Sequence, residues 1–398
     1  MTPGRPVRAR RRPLVRAVVA VLLVASGCGG DSAAEPTSEV VDVAAASGLD
    51  DASNTQGRNC RIDAGPDGEV GLVLSTHGDG DWPLVVGEPG GTFVERHRFA
   101  RRDRHGCAVA DFDGDGLQDV YLSVGACQGA CLEPKELWMG RPDGTFEDRA
   151  AAWGVDDPAG RGRIPVVLDA DGDGRPDLFV GNEDGPGSTN RLWLNRGDRF
   201  EEATGPWSEA MVGSICAAAA DVDGDGRDEL ASCTGRRGFF LYGQQEGAFD
   251  VVTRAVGIEP YGRVSADFGD VDADGRPDLV TVARNRVEVL RNEGGRFGRP
   301  VFTQQLESGY DAALADATGD GHLDLFVVQG SKSADLLLVG DGTGAFTPGP
   351  AVPQGEGAGD SVTPLHDWQD GRAAFLVNNG YQDAKGPRQL FVVRDDAG

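Results

Sequence analysis

Five nine-residue segments alternate oxygen-bearing side chains around a glycine: DFDGDGLQD from Asp111, DADGDGRPD from Asp169, DVDGDGRDE from Asp221, DVDADGRPD from Asp270 and DATGDGHLD from Asp316. Oxygens fall at positions 1, 3, 5 and 9. These are Asp111, Asp113, Asp115 and Asp119; Asp169, Asp171, Asp173 and Asp177; Asp221, Asp223, Asp225 and Glu229; Asp270, Asp272, Asp274 and Asp278; and Asp316, Thr318, Asp320 and Asp324. Alternate residues of a short loop point inward, so the spacing gathers hard oxygens around one point. Calcium takes roughly 6–8 oxygens at about 2.3–2.6 Å. Position 6 is always glycine (Gly116, Gly174, Gly226, Gly275, Gly321), which lets the chain wrap an ion sharply. Position 7 would offer its backbone carbonyl, from Leu117, Arg175, Arg227, Arg276 and His322. No Cys or His stands as a side-chain ligand, which favours calcium over zinc or copper. One Asp-Gly turn needs no ion, since Asp-Gly also marks hairpins. Five complete ligand sets without ions would repel themselves. The expectation is about five structural Ca2+, one for each motif.

The elements that hold these loops are strands. An EF-hand would need a twelfth-position Glu and flanking helices. Here the loops run into DVYLSVG, DLFVGN, ELASC, DLVTVA and DLFVVQG, short apolar runs that read as buried strands. Small-residue segments precede them: GCAVADF, SICAAAAD, RVSADFGD and YDAALAD. Third strands recur as ELWMG, RLWLN, GFFLYG, RVEVLRN and DLLLVG, and Phe-led fourth strands as GTFEDRAAAWGV, RFEEATGPW and GAFDVVTRAVGI. Two worn copies extend the series. DAGPDGEVGLVLSTHG keeps only Asp63 and Asp67, and HDWQDGRAAFLVNNG places His366, Trp368, Asp370 and Ala374 at positions 1, 3, 5 and 9. Neither is expected to hold calcium well. HGDGDWPLVVG is set aside as the first copy, because it would crowd the motif at Asp111.

Motif starts at 63, 111, 169, 221, 270, 316 and 366 make seven units. Seven four-stranded units of this length describe an all-β, seven-bladed β-propeller, a fold of typically 4–8 blades. Calcium loops would lie between strands of the central five repeats. Small residues suit inner strands crowding a narrow axis. QLFVVRDD reads as a third strand with no fourth after it, and SEVVDVAAASGL near the start resembles TFEDRAAAWGV. Residues near 38–44 are therefore expected to complete the last blade and close the ring, removing an exposed sheet edge.

These units resemble the FG-GAP/VCBS-type repeats of integrin alpha-subunit propellers and of many secreted bacterial proteins. The Phe-led turns resemble the cartilage acidic protein subgroup. That subgroup often carries a further C-terminal domain, and none is expected in this chain.

At the N-terminus, six arginines precede AVVAVLLVA, an apolar run shorter than the ~20 residues of a spanning helix. It ends in ASGC, which resembles a bacterial lipoprotein cleavage box with Cys28 lipidated; ordinary secretion is the alternative. RRPLVR also resembles a twin-arginine export signal, leaving the route open. The expected organisation is a lipoprotein signal peptide at 1–27, a flexible tether at 28–37 and the propeller at 38–398. The location expected is extracytoplasmic, lipid-anchored at the cell membrane or cell surface. Membrane contact would be through the lipid alone.

Loss of residues 1–27 removes six of the 38 Lys and Arg and none of the 64 acids, moving the formal charge from −26 to −32. Nineteen acids occupy the ligand positions. Such a surface excludes nucleic acid as a partner. Six cysteines besides Cys28 suit an oxidising compartment. Cys216 and Cys233 flank the loop from Asp221 almost symmetrically, so they should face each other on antiparallel strands. Cys127 and Cys131 share the insertion GACQGAC and should pair locally. Cys60 and Cys107, on equivalent inner strands of neighbouring blades, are left to pair. Six cysteines allow 15 connectivities, so other pairings stay open.

No HExxH, GxSxG or GxxxxGK[ST] occurs. The histidines (His77, His97, His105, His322, His366) show no helical ligand spacing. RHRFARRDRH, residues 96–105, is a basic island, either a contact for an anionic glycan or acidic protein patch, or a solvated loop. Arg196-Gly197-Asp198 falls where such repeats place a turn, and its likeness to an integrin ligand is read as coincidence. Two functional readings remain. One is a non-enzymatic binding or adhesion module for an extracellular protein or glycan. The other is a polysaccharide lyase or hydrolase on one propeller face, with Tyr261, Tyr310 or His322 as base. Neither ligand nor oligomeric state is legible.

Overall fold

The strands that follow the acid loops, Asp119–Val124, Glu229–Thr234, Asp278–Ala283 and Asp324–Gln329, are buried at every residue. A strand covered on both faces needs a sheet packed between two others, and the chain solves this with a ring of sheets. The computed structural model describes residues 38–50, 57–63, 69–76, 80–100, 102–125, 131–183, 188–210, 213–234, 238–245, 248–330, 333–354, 359–369, 371–380 and 386–395. The expected signal segment, Cys28, the tether, Asp67, Cys127 and Asp370 lie outside these residues. Ser38–Gly398 forms one compact unit.

That unit is a seven-bladed, all-β propeller of four-stranded antiparallel sheets. From the inner strand outward, blade 1 is Cys60–Asp63, Val70–Val73, Trp82–Gly87 and Phe93–Phe99. Blade 2 is Arg104–Ala110, Asp119–Val124, Glu136–Gly140 and Phe146–Asp148. Blade 3 is Arg161–Leu168, Asp177–Glu183, Arg191–Asn195 and Phe200–Ala203. Blade 4 is Ser214–Ala220, Glu229–Thr234, Gly238–Gln245 and Ala248–Val251. Blade 5 is Ser265–Gly269, Asp278–Ala283, Arg286–Leu290 and Phe302–Gln305. Blade 6 is Gly309–Ala315, Asp324–Gln329, Leu336–Gly340 and Phe346–Pro348. Blade 7 runs Ser361–Gln369, Arg372–Asn378 and Gln389–Asp395. Its fourth strand is Ser38–Asp42, paired Ser38 to Asp395 and Asp42 to Phe391.

Apolar side chains collect into seven clusters, one for each junction between neighbouring blades. Between blades 5 and 6, Val280, Val282 and Val289 meet Leu314, Leu325 and Val327. Between blades 7 and 1, Leu365, Leu376 and Leu390 meet Leu72, Leu74 and Val85, so the ring has no uncovered face at its seam. Polar bonds reinforce that seam. Asn59 Nδ2 donates to Asn378 Oδ1 at 3.1 Å, Asn378 Nδ2 to Ser75 Oγ at 2.8 Å, and Gly57 N to Asp360 Oδ2 at 2.9 Å.

The worn acid loop expected from His366 is not a loop. The inner strand of blade 7 continues to Gln369 and pairs there with Arg372, after an irregularity beyond Leu365. Trp368 stacks on Phe93 of blade 1, with centroids 5.2 Å apart, and this contact holds the extended segment in place. Among the described residues no helix is long and apolar enough to cross a membrane.

One disulfide links the first two strands of a blade and another links two inner strands. Cys216 faces Cys233 within blade 4, and Cys60 joins blade 1 to Cys107 of blade 2, with Cα atoms 4.9 and 6.0 Å apart. Cys131 is also disulfide-bonded. The Cys60–Cys107 bridge crosses a blade junction and closes 47 residues of sequence. Replacing both cysteines with serine should lower unfolding free energy by about 2–4 kcal/mol. Urea denaturation under oxidising conditions measures this, and an unchanged midpoint would remove the bridge from the stability account.

Candidate metal centres in the acid loops

Each loop joins the inner strand of its blade to the second. The position-1 carboxylate organises it. Asp111 Oδ1 accepts the N–H groups of Gly114 at 2.8 Å and Asp115 at 3.1 Å, while its Oδ2 accepts Gly116 N–H at 2.9 Å. Asp169, Asp221 and Asp316 repeat the pattern. The position-5 carboxylate then takes the N–H of position 7: Leu117 on Asp115 at 2.8 Å, Arg175 on Asp173 at 3.0 Å, Arg227 on Asp225 at 2.9 Å, Arg276 on Asp274 at 3.0 Å and His322 on Asp320 at 2.9 Å. Position 6 needs glycine for its backbone: φ is +80° at Gly174 and +89° at Gly116. Position 4 is left-handed as well. Four loops have glycine there, but the loop from Asp270 places Ala273 at φ +57°.

Position 9 is buried in all five loops, with Asp119, Asp177, Glu229, Asp278 and Asp324 no more than 5% exposed. Its two oxygens fasten two pieces of backbone. Asp119 Oδ2 accepts Phe112 N–H of the loop at 2.9 Å, and Oδ1 accepts Gly140 N–H of the third strand at 2.8 Å. Asp177, Asp278 and Asp324 do the same. These bonds favour the carboxylate, yet burial outweighs them. Burial pushes Asp119 and Asp177 up to about 7 and Glu229 to about 8, and nearby acids add to the rise. Asp278 and Asp324 move in the same direction for the same reason.

Three or more carboxylates converge in four loops, with one oxygen from each within 4.8 Å of the others. The groups are Asp111, Asp113 and Asp115; Asp169, Asp171 and Asp177; Asp221, Asp223 and Asp225; and Asp270, Asp272 and Asp278. Asp119, Asp173, Glu229 and Asp274 stand outside these tight groups. The loop from Asp316 forms none, having Thr318 at position 3. A further observation bears on whether a cation fits. Asp171 Oδ1, Asp272 Oδ1 and Thr318 Oγ1, all at position 3, are buried without a hydrogen-bond partner. A buried polar atom left so costs about 1–3 kcal/mol, and a cation is the partner this oxygen-only donor set suits. The acid clusters can therefore take metal ions.

Cations of the chain itself trim the charge. Arg175, Arg227 and Arg276 pair with the position-5 acid of their own loops, and Arg227 Nη1 lies 2.9 Å from Asp225. Arg196 reaches Asp171 Oδ2 at 2.7 Å, and Arg291 reaches Asp272 Oδ2 at 3.1 Å. Amide side chains couple blades: Asn195 Nδ2 donates to Phe112 O at 2.8 Å, Gln244 Nε2 to Ala170 O at 2.7 Å, and Asn292 Nδ2 to Val222 O at 2.7 Å. Each acceptor is the second loop residue of the preceding blade. Sequence reading missed these latches. Their signal was the polar residue recurring at the end of the third strand in RLWLN, LYGQ and VLRN.

The other candidate residues separate. Tyr261 precedes the inner strand of blade 5 and Tyr310 lies at the start of that of blade 6, whereas His322 sits on an acid loop at the opposite end, so they form no single constellation. Arg196 of the Arg-Gly-Asp turn is held by Asp171 and Glu201. The basic island is neutralised locally. Arg96 pairs with Glu88, Arg98 with Glu95, Arg102 and Arg104 with Glu136, and His105 with Asp103. His97 packs against Phe99 and Phe146, and burial lowers its pKa.

Residues 169–232, 221–281 and 270–327 match the FG-GAP-like repeat. Residues 169–327 carry FG-GAP-like repeats. Cartilage acidic protein 1 of Homo sapiens is 31% identical over 161 residues, which cover 37% of this chain and 24% of that protein. The Xenopus tropicalis protein is 34% identical over 163 residues, with the same shares. The chain thus spans about a quarter of the length of the curated relatives it matches. Among solved structures, a chain from the complex of BBS1N with ARL6DN superposes with a TM-score of 0.56 at 10% identity, covering 87% of this chain and 96% of that one. A lectin of Agrocybe aegerita that recognises non-reducing terminal N-acetylglucosamine gives 0.54 at 19% identity, covering 75% and 80%. These likenesses show the fold.

The alanine at position 4 of one repeat yields a direct test. Ala273→Gly should stabilise the calcium-free protein by about 0.5–1 kcal/mol, since left-handed strain on a Cβ outweighs the entropy of glycine. A lower melting temperature for the variant in EDTA would contradict this.

Proposed function

We propose that the chain is a calcium-rigidified, extracytoplasmic binding module, tethered by a lipid on Cys28, that offers a propeller face to an extracellular protein or glycan. The observation that carries the calcium reading is the set of buried, partnerless position-3 oxygens beside carboxylates raised by burial. The side chains of positions 1, 3, 5 and 9 and the carbonyl of position 7 would hold the ion. Bound calcium supplies charge neutralisation and a tie between loop ends. Extracellular modules use sites of about 10⁻⁴–10⁻³ M, because the ion is abundant outside cells. Ser38–Asp42 acts as the closing strand, and its pairing with Gln389–Asp395 supports that role.

The binding reading rests on what the site lacks as well as what it holds. The acid loops bring together metal ligands and no nucleophile with a base, and FG-GAP-like repeats on a propeller fit a recognition surface. The lectin's fold is a precedent for a propeller that holds a saccharide. Such likeness assigns no ligand by itself.

Chelation should lower the melting temperature. A site of 10⁻⁴ M in about 1 mM calcium contributes about 1.4 kcal/mol, and several sites act together. An unaltered melting curve in excess EDTA would sink the calcium assignment. Calorimetric titration should count about five sites, one for each loop, and two or fewer would refute the reading of the repeats. Metabolic palmitate labelling should depend on Cys28; an unlabelled protein in the medium would refute the anchor.

A further inference from the structure

The end of the ring opposite the acid loops carries a cluster with no part in metal binding. It spans blades 4 to 6. The Arg263 guanidinium lies 4.7 Å from the Phe239 ring centre and 4.1 Å from that of Tyr261, and Arg286 covers the same Tyr261 at 4.6 Å. Arg284 lies over Tyr310 at 3.9 Å. Arg263 is 1% exposed; its Nη1 donates to Glu259 O at 2.8 Å, and its Nε has no acceptor. Among the described residues no carboxylate forms an ion pair with Arg263 or Arg284, and Arg286 has Glu288 at 2.8 Å. Burial, then the charge of Arg286, lowers the pKa of Arg263 to about 10. Three arginines with one ion pair among them are out of character here. Most arginines of this acidic chain, from Arg96 to Arg196, stand against carboxylates.

We propose that this patch binds the carboxylates of a uronate-bearing glycan, through Arg284 and Arg286, with Arg263 as a fixed positive charge behind them. The inference rests on the binding-module reading and names its partner. A guanidinium stacked on an aromatic ring can still turn its planar fork to a carboxylate in two parallel bonds. Arg286 already gives Nε to Glu288 at 2.8 Å and Nη1 to Asn285 at 3.3 Å, so Arg284 is the main contact and Arg286 adds Nη2 and its charge. Stacking on Tyr261 and Tyr310 orders both side chains before a ligand arrives, which reduces the entropy lost on binding. The two contact groups are carried by one hairpin turn, Arg284 to Arg286, and seated on tyrosines of adjoining blades. A polyuronate presents a carboxylate on every residue of a stiff chain, whereas an acidic peptide must first be ordered. Arg284 is exposed.

The test is calorimetric titration of the calcium-loaded protein with oligogalacturonate, neutral oligogalactose of equal length and hexaglutamate. Free calcium must be held constant, because uronates themselves bind it. Oligogalacturonate should bind and the neutral oligomer should not. Arg284→Ala and Arg286→Ala should each weaken binding by about tenfold or more, while exposed Arg299→Ala should leave it unchanged. Equal binding of the neutral oligomer, full affinity in both variants, tighter binding of hexaglutamate, or no binding at all would overturn the assignment. The calcium dependence of melting, read on the same samples, separates this failure from failure of the calcium reading: a protein still stabilised by calcium but blind to uronate loses only the glycan site.

Discussion

The architecture depends on a single residue whose two backbone polar groups are bonded in different blades. In blades 2, 3 and 4 the second residue of the acid loop gives its N–H to the buried position-9 carboxylate of its own blade. The next blade takes the matching carbonyl with an Asn or Gln. The side chain of that residue, Phe112, Ala170 or Val222, is buried in a blade junction. Backbone, carboxylate, amide and apolar packing therefore meet at one residue in each of these three repeats. A loop that moved would disturb its own hairpin, its third strand and the neighbouring blade together. The position-9 acids thus hold the sheet in register, and they are buried in every loop, beside clusters that can take a metal ion.

Much of this could be read from the chain. The period of the acid motif counts the blades, and continuous apolar runs such as DLVTVA mark strands covered on both faces. Position 6 glycine follows from the turn it must make. What could not be read is where one repeat touches another. The amide latches join residues 70 to 83 positions apart, a pairing no local pattern encodes. The ion pair of Arg196 with Asp171 was hidden for a related reason: it lies within blade 3 but joins residues 25 positions apart. At His366 the chain runs on as strand to Gln369, with Trp368 stacked on Phe93 of blade 1, a contact that no local pattern encodes.

The ring is chemically uneven. Five repeats have acid loops. Blades 7 and 1, where the loops are worn, meet instead through neutral amides, hydroxyls and Arg388, whose Nε donates to Asn378 Oδ1 at 3.2 Å. Blade 1 is further tied to blade 2 by a disulfide. Different chemistries thus close equivalent junctions. Along the axis the unevenness is one of charge. Acids crowd the loop end, while the other end carries arginines stacked on aromatic rings.

The shared last blade has a kinetic consequence. Every other sheet is built from neighbours in sequence, so its hairpins can form early and locally. The clasp between Ser38–Asp42 and Gln389–Asp395 is different: Leu390 N–H meets Asp42 across 348 residues. Contacts this remote lose the most chain entropy before they return any, and they are the slow step in folding. Six of the seven junctions can therefore assemble as an open arc, and the seventh, between blades 7 and 1, forms when the two ends meet. Until then the arc exposes two raw strand edges. Its vulnerability to misassembly is concentrated in that interval, and a single bound segment of five residues ends it.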